Sequence, residues 1–149
     1  MLFRSVAVWL AAIAIAGLVV NWRSELWSQE HEDVVKAVYS NTDPALPIMT
    51  DQPATVKFLN EVHGPRTLVD LDLGDANQDV RRAQLLQLLG RNPTVQIVLF
   101  GRDDSDYWLN KSKDDRAFIT AISRELHTKL QVQQRFAGLG VLRIWNVRI

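Results

Sequence analysis

Residues Val95 to Phe100 read VQIVLF, and this stretch decides the fold class of the chain. Five of its six residues are apolar, and Pro93 and Gly101 bound it on either side. A short apolar run without alternation is typical of a β-strand that is covered on both faces. Such strands occur in sheets that carry helices on both sides, so the stretch predicts an α/β domain.

Four further segments have strand patterns. Val34–Tyr39 (VVKAVY) is β-branched, and Thr67–Leu73 (TLVDLDL) alternates between apolar and polar residues. Near the C-terminus, Gln131–Phe136 and Val141–Ile149 flank the turn Ala137–Gly140, which predicts an antiparallel hairpin.

Helix patterns lie between these strands. Asn41 or Asp43 can cap a short helix near Pro44, and a second helix follows a cap at Asp75 or Asn77 and runs to about Leu89. The longest helix is expected to follow a cap at Ser112 or Asp114 and to run to about Leu130, with an apolar ridge of Phe118, Ile122, Leu126 and Leu130. This alternation predicts a small three-layer domain with a mainly parallel sheet and a C-terminal antiparallel hairpin.

The N-terminal segment predicts a membrane anchor. Ser5–Val20 carries no charge, and Leu2–Trp22 supplies the roughly 20 helical residues that a bilayer core requires. Ala14-Ile15-Ala16 has the small-x-small form of a signal-peptidase site, which leaves a cleaved signal as the alternative. The favoured organisation is a transmembrane anchor (1–22), a juxtamembrane linker or helix (23–33) and an extracytoplasmic, periplasmic α/β domain (34–149).

Composition excludes several classes of site. The 17 basic and 17 acidic side chains give a formal net charge of zero, which argues against nucleic acid as a partner. The chain has no cysteine, so thiolate metal sites and cysteine nucleophiles are excluded. No cofactor is predicted. His127, placed on the long helix, is assigned no role. Arg81-Arg82 is interpreted as exposed helix surface, with a position facing lipid headgroups as the alternative.

Two acidic motifs are candidates for chemistry. Asp70-Leu71-Asp72 follows a predicted strand, as the phosphatase-type D-x-D does, and Asp104-Ser105-Asp106 resembles the D-x-D that holds manganese in nucleotide-sugar transferases. The lysine and the hydroxyl that a phosphatase needs are missing at their expected places. Solvated loops at the carboxyl ends of strands are therefore the favoured interpretation, with Tyr107 and Trp108 folding over the sheet edge. Open α/β sheets bind ligands at that end, so these loops stay candidate contacts.

One segment resembles a known family. Tyr39–Ala54 reads YSNTDPALPIMTDQPA, which is similar to a segment of membrane glycosyltransferases of the protein-mannosyltransferase and aminoarabinose-transferase type, whose donors are lipid-phosphate sugars. Tyr39-Ser40-Asn41, Ala45-Leu46, Thr50, Pro53 and Ala54 match without a gap, whereas Asp51 and Gln52 replace the usual Gly-Arg. The resemblance implies a strand that ends in Y-S-N, a short helix that carries A-L, and a turn.

In those enzymes this segment belongs to a soluble domain after the last transmembrane helix, and the catalytic residues lie in the multi-pass part. The resemblance therefore implies an accessory or binding domain without catalytic residues of its own, with the lipid bilayer and a multi-pass membrane glycosyltransferase as partners. The small residues Ala11, Ala12, Ala14, Ala16 and Gly17 would allow close helix contact with that enzyme. The candidate ligand-facing residues are Tyr39, Asn41, Asp70, Asp72, Asp104, Asp106, Tyr107 and Trp108.

Two other functions remain open at this point. One is a metal-dependent hydrolase or transferase that uses Asp70, Asp72, Asp104 and Asp106, with Asp104 and Asp106 as the metal ligands. The other is a structural module of an envelope complex that docks through its C-terminal hairpin.

Overall fold

A computed structural model describes residue 15 and residues 32–51, 67–71, 78–101, 106–137 and 140–149. The chain divides into two compact units, Met1–Asp33 and Val34–Ile149, and the sheet belongs to the second. Apart from the single helical residue Ile15, the described ranges contain three helices and five strands. They are α1 (residues 32–41), β1 (Ile48–Thr50), β2 (Leu68–Asp70), α2 (Gln78–Leu89), β3 (Val95–Gly101), α3 (Asp106–Ile122), β4 (His127–Phe136) and β5 (Gly140–Arg148).

The five strands form one mixed sheet in the order β2-β1-β3-β5-β4. Strand β1 lies parallel to both β2 and β3, whereas β5 is antiparallel to β3 and β4. The predicted α/β class is thus confirmed. The sheet is mixed rather than mainly parallel, because the C-terminal hairpin supplies two of the five strands and inserts β5 directly beside β3.

Strand β3 is buried on both faces, as the apolar run predicts. Its side chains alternate between two cores, with Val95, Ile97 and Leu99 on one side of the sheet and Val98 and Phe100 on the other. Since the strand is covered on both faces, the domain has three layers.

Each face of the sheet has its own helical cover. Helix α1 covers one face, in a core made of Val34, Val35, Val38, Ile48, Val98, Phe100, Leu142 and Ile144. Helices α2 and α3 cover the other face, in a core made of Met49, Leu71, Leu85, Leu89, Val95, Ile97, Leu99, Phe118, Ile122 and Val147.

The predicted strand Val34–Tyr39 is wrong, because these residues belong to helix α1. Val34, Val35 and Val38 are buried, whereas Lys36 and Tyr39 are exposed, and this spacing places one apolar stripe on a helix. At its end, Asn41 Nδ2 donates to the carbonyl of Ala37 (2.7 Å) and Thr42 Oγ1 to that of Val38 (2.7 Å). Packing of the valines on the sheet therefore overrides their β-propensity.

The segment after α1 differs from the short helix expected near Pro44 and from the elements that the family resemblance implies. No short helix follows Pro44, because Asp43 forms a turn in which its Oδ1 accepts from the backbone N–H of Ala45 (2.8 Å). Strand β1, which the sequence reading missed, follows Pro47 directly. Tyr39-Ser40-Asn41 thus ends a helix rather than the strand implied by the resemblance, and Ala45-Leu46 lies in a turn.

The longest helix begins and ends earlier than predicted, since it starts at Asp106 rather than after a cap at Ser112 or Asp114. Helix α3 stops at Ile122, and His127–Leu130 already belongs to β4. The Ser123 hydroxyl donates to the carbonyl of Ile119 (2.7 Å) and lies 2.7 Å from the hydroxyl of Thr128, so it bridges the helix end and the strand. Leu126 is therefore only half-buried, and Leu130 is 45% exposed on β4.

The C-terminal hairpin is confirmed. Strands β4 and β5 pair from His127 opposite Arg148 to Phe136 opposite Gly140, with a register shift between Leu130 and Val132. Gly140 has φ 139°, in the region that a side chain disfavours, so a glycine suits the start of β5.

The predicted anchor, Leu2–Trp22, lies outside the described residues except for Ile15, and so does the linker up to residue 31. Ile15 is helical and 61% exposed. None of the helices in the described ranges combines the length and the apolar character needed to cross a bilayer.

If α1 is a helix, residues 38 and 40 lie on different faces of it, and this can be tested. In a strand both side chains would point to the same face, whereas in α1 Val38 is buried (1% exposed) and Ser40 is exposed. We expect Val38→Ala to lower the free energy of unfolding by about 2 kcal/mol, because two buried carbons are lost. Ser40→Ala should change it by less than about 0.5 kcal/mol. Urea unfolding of both variants measures the difference, and equal losses would contradict the helix.

Candidate functional site

The structure separates the predicted site residues between two ends of the sheet. Tyr39 and Asn41 lie in the last turn of α1, which leads to the amino ends of β1 and β3. Asp70 ends β2 and Asp106 begins α3, at the carboxyl end of the parallel strands. The seven residues of β3 span roughly 20 Å, so these two sets do not form one site.

The acidic motifs are described only in part. Asp72 and Asp104 lie outside the described residues, and Asp70, Asp106, Tyr107 and Trp108 are described by their backbone positions. The expected loop is wrong at residues 106–108, because they form the first turn of helix α3. Among the residues that the structure does describe, no group of three or more side chains could hold a metal ion. The metal hypothesis for the two aspartate pairs therefore stays a prediction.

Asp51 has a clear structural position at the carboxyl end of β1. Its carboxylate is buried and accepts from the backbone N–H of Phe100, with distances of 3.1 and 3.3 Å to its two oxygens. The backbone of Thr50 accepts from the N–H of Leu71 (2.8 Å) at the same place. Asp51 thus provides a side-chain acceptor for β3 beyond the last backbone pair of β1, at the position where the resembling family has glycine.

Arg81 is buried, which corrects its interpretation as exposed helix surface. Its Nη1 lies 3.4 Å from Oδ1 of Asp115 on α3, and both side chains are buried. The Nε of Arg81 and Oε1 of Gln78 are buried without a hydrogen-bond partner among the described residues. Arg82 matches the prediction, since it is exposed and pairs with the exposed Glu125. The two neighbouring arginines of α2 thus form ion pairs of different kinds, Arg81 with α3 and Arg82 with the turn that follows α3.

These two ion pairs should differ strongly in their contribution to stability. We expect Asp115→Ala to lower the free energy of unfolding by about 3 kcal/mol, because it leaves the guanidinium of Arg81 buried without its counter-charge. Glu125→Ala removes an exposed pair and should cost less than about 1 kcal/mol. Thermal and urea unfolding measure both losses. A loss for Asp115→Ala no larger than that for Glu125→Ala would show that the Arg81 pair is solvated.

Three arginines lie close together near the carboxyl end of β3. Arg143 on β5 is opposite Leu99, Arg135 on β4 is opposite Val141, and Arg116 comes from α3. Partial burial, and then the positive charges of Arg116 and Arg135, lower the pKa of Arg143 from its ordinary value. The Nε of Arg143 donates to Oε1 of Gln133 (3.3 Å). A lowered pKa means that the folded state holds this proton less tightly, so the charged cluster opposes folding.

Removing one charge from this cluster should stabilise the fold at low ionic strength. We expect Arg135→Gln to raise the free energy of unfolding by about 0.3 kcal/mol in dilute buffer, because cross-strand repulsion of Arg143 is relieved. The gain should vanish near 1 M salt, where the screening length is about 3 Å. Arg91→Gln, which removes an exposed charge beyond α2, is the matched control and should show no such salt-dependent gain. Destabilisation by Arg135→Gln at every salt concentration would contradict the repulsion.

A cavity of about 560 Å³ opens at the opposite end of the hairpin. Its walls are the turn after α3, the first residues of β4 and the last residues of β5. The described lining residues are Ser123, Leu126, His127, Thr128, Lys129, Gln131, Asn146 and Arg148. Lys129 and Arg148 are cationic, His127 adds an imidazole, and no carboxylate occurs among the lining residues.

Two consecutive hydrogen bonds across the sheet orient Asn146 in the wall of this cavity. The backbone N–H of Asp43 donates to Oε1 of Gln96 (2.8 Å), and Nε2 of Gln96 donates to Oδ1 of Asn146 (3.1 Å). Gln96 is the polar exception in the apolar run VQIVLF and is 3% exposed. Since Oδ1 of Asn146 is held by Gln96, its Nδ2 amide group is directed away from Gln96.

Basic and acidic residues are distributed unevenly between the hairpin and the rest of the chain. His127–Ile149 contains four of the 17 lysines and arginines and none of the 17 aspartates and glutamates. The remaining residues therefore carry 13 basic and 17 acidic side chains. The neutral total hides this asymmetry, and a count over the C-terminal segment alone would have found it.

Comparison with known proteins gives no family assignment: no protein-family model, curated protein or solved structure matches the chain.

Proposed function

We propose that the chain is a membrane-anchored, extracytoplasmic binding domain that acts as an accessory to a multi-pass glycosyltransferase with a lipid-phosphate sugar donor. The 16-residue resemblance at Tyr39–Ala54 supports the class of partner. The apolar run Leu2–Trp22 supports the tether. The domain itself would bind and position, and the partner would carry the reaction.

The acid-free hairpin is the observation that carries this proposal. Residues His127–Ile149 present only basic and neutral side chains, and the cavity at the end of the hairpin is lined in the same way. Basic side chains complement the phosphate groups of anionic lipids and of lipid-phosphate donors. This charge pattern favours binding of an anionic partner at a membrane surface.

The test is photo-crosslinking of the full-length protein in its native membranes. A photo-reactive amino acid at Ile15, which is exposed on its helix, should capture a multi-pass glycosyltransferase that mass spectrometry identifies. The same group at Gln87, exposed on α2, tests whether the soluble domain also contacts that enzyme. Capture of membrane proteins without a glycosyltransferase among them, or of none, would contradict the proposed partner.

The chain has no cysteine, so a single introduced cysteine can report on which side of the membrane the domain lies. A cysteine introduced at the exposed Ser40 should react with a membrane-impermeant maleimide in intact spheroplasts, because the proposal places α1 outside the cytoplasm. A cysteine at the buried Val98 should react only after unfolding. Labelling of Ser40→Cys only after lysis would place the domain in the cytoplasm and contradict the proposal.

A further inference from the structure

We propose that the cavity at the open end of the β4–β5 hairpin is a binding site for a phosphate-type anion. The ligand would be either a small phosphorylated molecule or the phosphate headgroup of a lipid. This inference rests on the geometry of the cavity and does not require the proposed glycosyltransferase partner.

The charge of the cavity is the first support. His127 and Arg148 are paired across the two strands, and Lys129 lies opposite Asn146, so the hairpin register brings these basic residues to the same end. The acidic residue nearest in sequence, Glu125, is engaged by Arg82 and is not among the lining residues. Phosphate is bound in proteins by Lys and Arg through charge-assisted hydrogen bonds, and this end of the hairpin supplies both.

The orientation of Asn146 is the second support. Because Oδ1 of Asn146 accepts from Gln96, the amide acceptor is already used. Nδ2 has no hydrogen-bond partner among the described residues, and Asn146 is one of the residues that line the cavity. Gln96 is itself held at both ends of its amide, so a buried side chain sets this orientation. A donor fixed in this way recognises an acceptor such as a phosphate oxygen.

The hydroxyl pair of Ser123 and Thr128 holds the walls together. The hydrogen of Ser123 goes to the carbonyl of Ile119, so Thr128 donates to Ser123 across the 2.7 Å contact. Both hydroxyl hydrogens are thus used inside the protein. The pair links the turn after α3 to β4, and neither of its hydroxyl hydrogens is left for a ligand.

The cavity is large enough for a ligand bigger than a bare phosphate ion. A volume of about 560 Å³ lies within the range of small-molecule sites, whereas one phosphate group would fill only part of it. The lining includes Leu126 and the amide of Gln131, which can contact the organic part of the ligand. The shared chemistry is a phosphate monoester or diester end with an uncharged remainder.

The experiment measures binding of inorganic phosphate and glycerol 3-phosphate to the full-length protein by isothermal titration calorimetry and thermal shift, against chloride at matched ionic strength. We expect saturable binding of at least one of the two. Lys129→Gln/Arg148→Gln should weaken it at least about tenfold. Asn146→Asp, which keeps the acceptor for Gln96 but puts a carboxylate on the wall, should weaken it at least as much.

Arg135→Gln/Arg143→Gln is the matched control. It removes the same charge from the same hairpin at the other end of the strands, and it should leave the affinity within about twofold. Circular dichroism and the melting temperature of each variant separate loss of binding from loss of fold. Equal weakening by the two double variants would show a general charge effect and overturn the site.

A second arm distinguishes the two sources of phosphate. The full-length protein is placed in nanodiscs of phosphatidylcholine with and without phosphatidic acid, and protection of Lys129 from acylation is measured. Protection that requires phosphatidic acid and is lost in Asn146→Asp supports a lipid headgroup, whereas saturable binding of glycerol 3-phosphate alone supports a soluble ligand. The absence of binding to phosphate, glycerol 3-phosphate and phosphatidic acid would overturn the proposal, whatever the outcome of the crosslinking experiment.

Discussion

The double-sided burial of β3 is the constraint on which the rest of the structure depends. Its side chains enter two cores, so helices must cover both faces of the sheet, and the chain supplies α1 on one face and α2 with α3 on the other. Burial of five large apolar side chains favours folding by several kcal/mol in total. The one polar residue of the run, Gln96, is tolerated because both ends of its amide are hydrogen-bonded. That same side chain couples the turn after α1 to the end of the hairpin.

The parts of the fold that follow from local patterns could be predicted. The apolar run of β3 and the turn of the hairpin each predict a structure that the packing of the domain keeps. Strand β1 could not be predicted in this way, because three residues between Pro47 and Asp51 are too short for a periodic pattern. The sequence predicts a strand in place of helix α1 because Val34, Val35 and Val38 fit a β-branched run as well as a helical stripe. The sheet decides between the two, since its uncovered face needs a helix.

The end of α3 shows a second limit of periodicity. Phe118 and Ile122 lie on one helical face, and Leu126 and Leu130 continue the spacing of four beyond the helix. Nothing in that spacing shows that the chain turns at Ser123. The hydrogen bonds of Ser123 to Ile119 and Thr128 join residues on both sides of the turn and are visible only in three dimensions.

The site was less predictable than the fold. Sequence reasoning selects the acidic motifs because D-x-D patterns have known chemistry, and it assigns no role to His127, which it places on a helix. The hairpin register places His127 opposite Arg148. The burial of Arg81 cannot be predicted from its own helix, since its carboxylate partner Asp115 lies on another helix.

Strand β4 also has a consequence for the solubility of the protein. It is the last strand in the sheet order and is ten residues long. Among the described residues no strand pairs with its outer side, so the N–H and C=O groups there are open to an extended chain that meets it. Leu130 is exposed on this strand, and burial of its side chain would stabilise such a contact. The irregularity between Leu130 and Val132 breaks the straight edge, and Lys129 and Arg135 on either side of it repel a second copy of the same strand. The basic hairpin thereby protects the molecule from edge-to-edge aggregation, and a change that neutralised these two side chains would remove that protection.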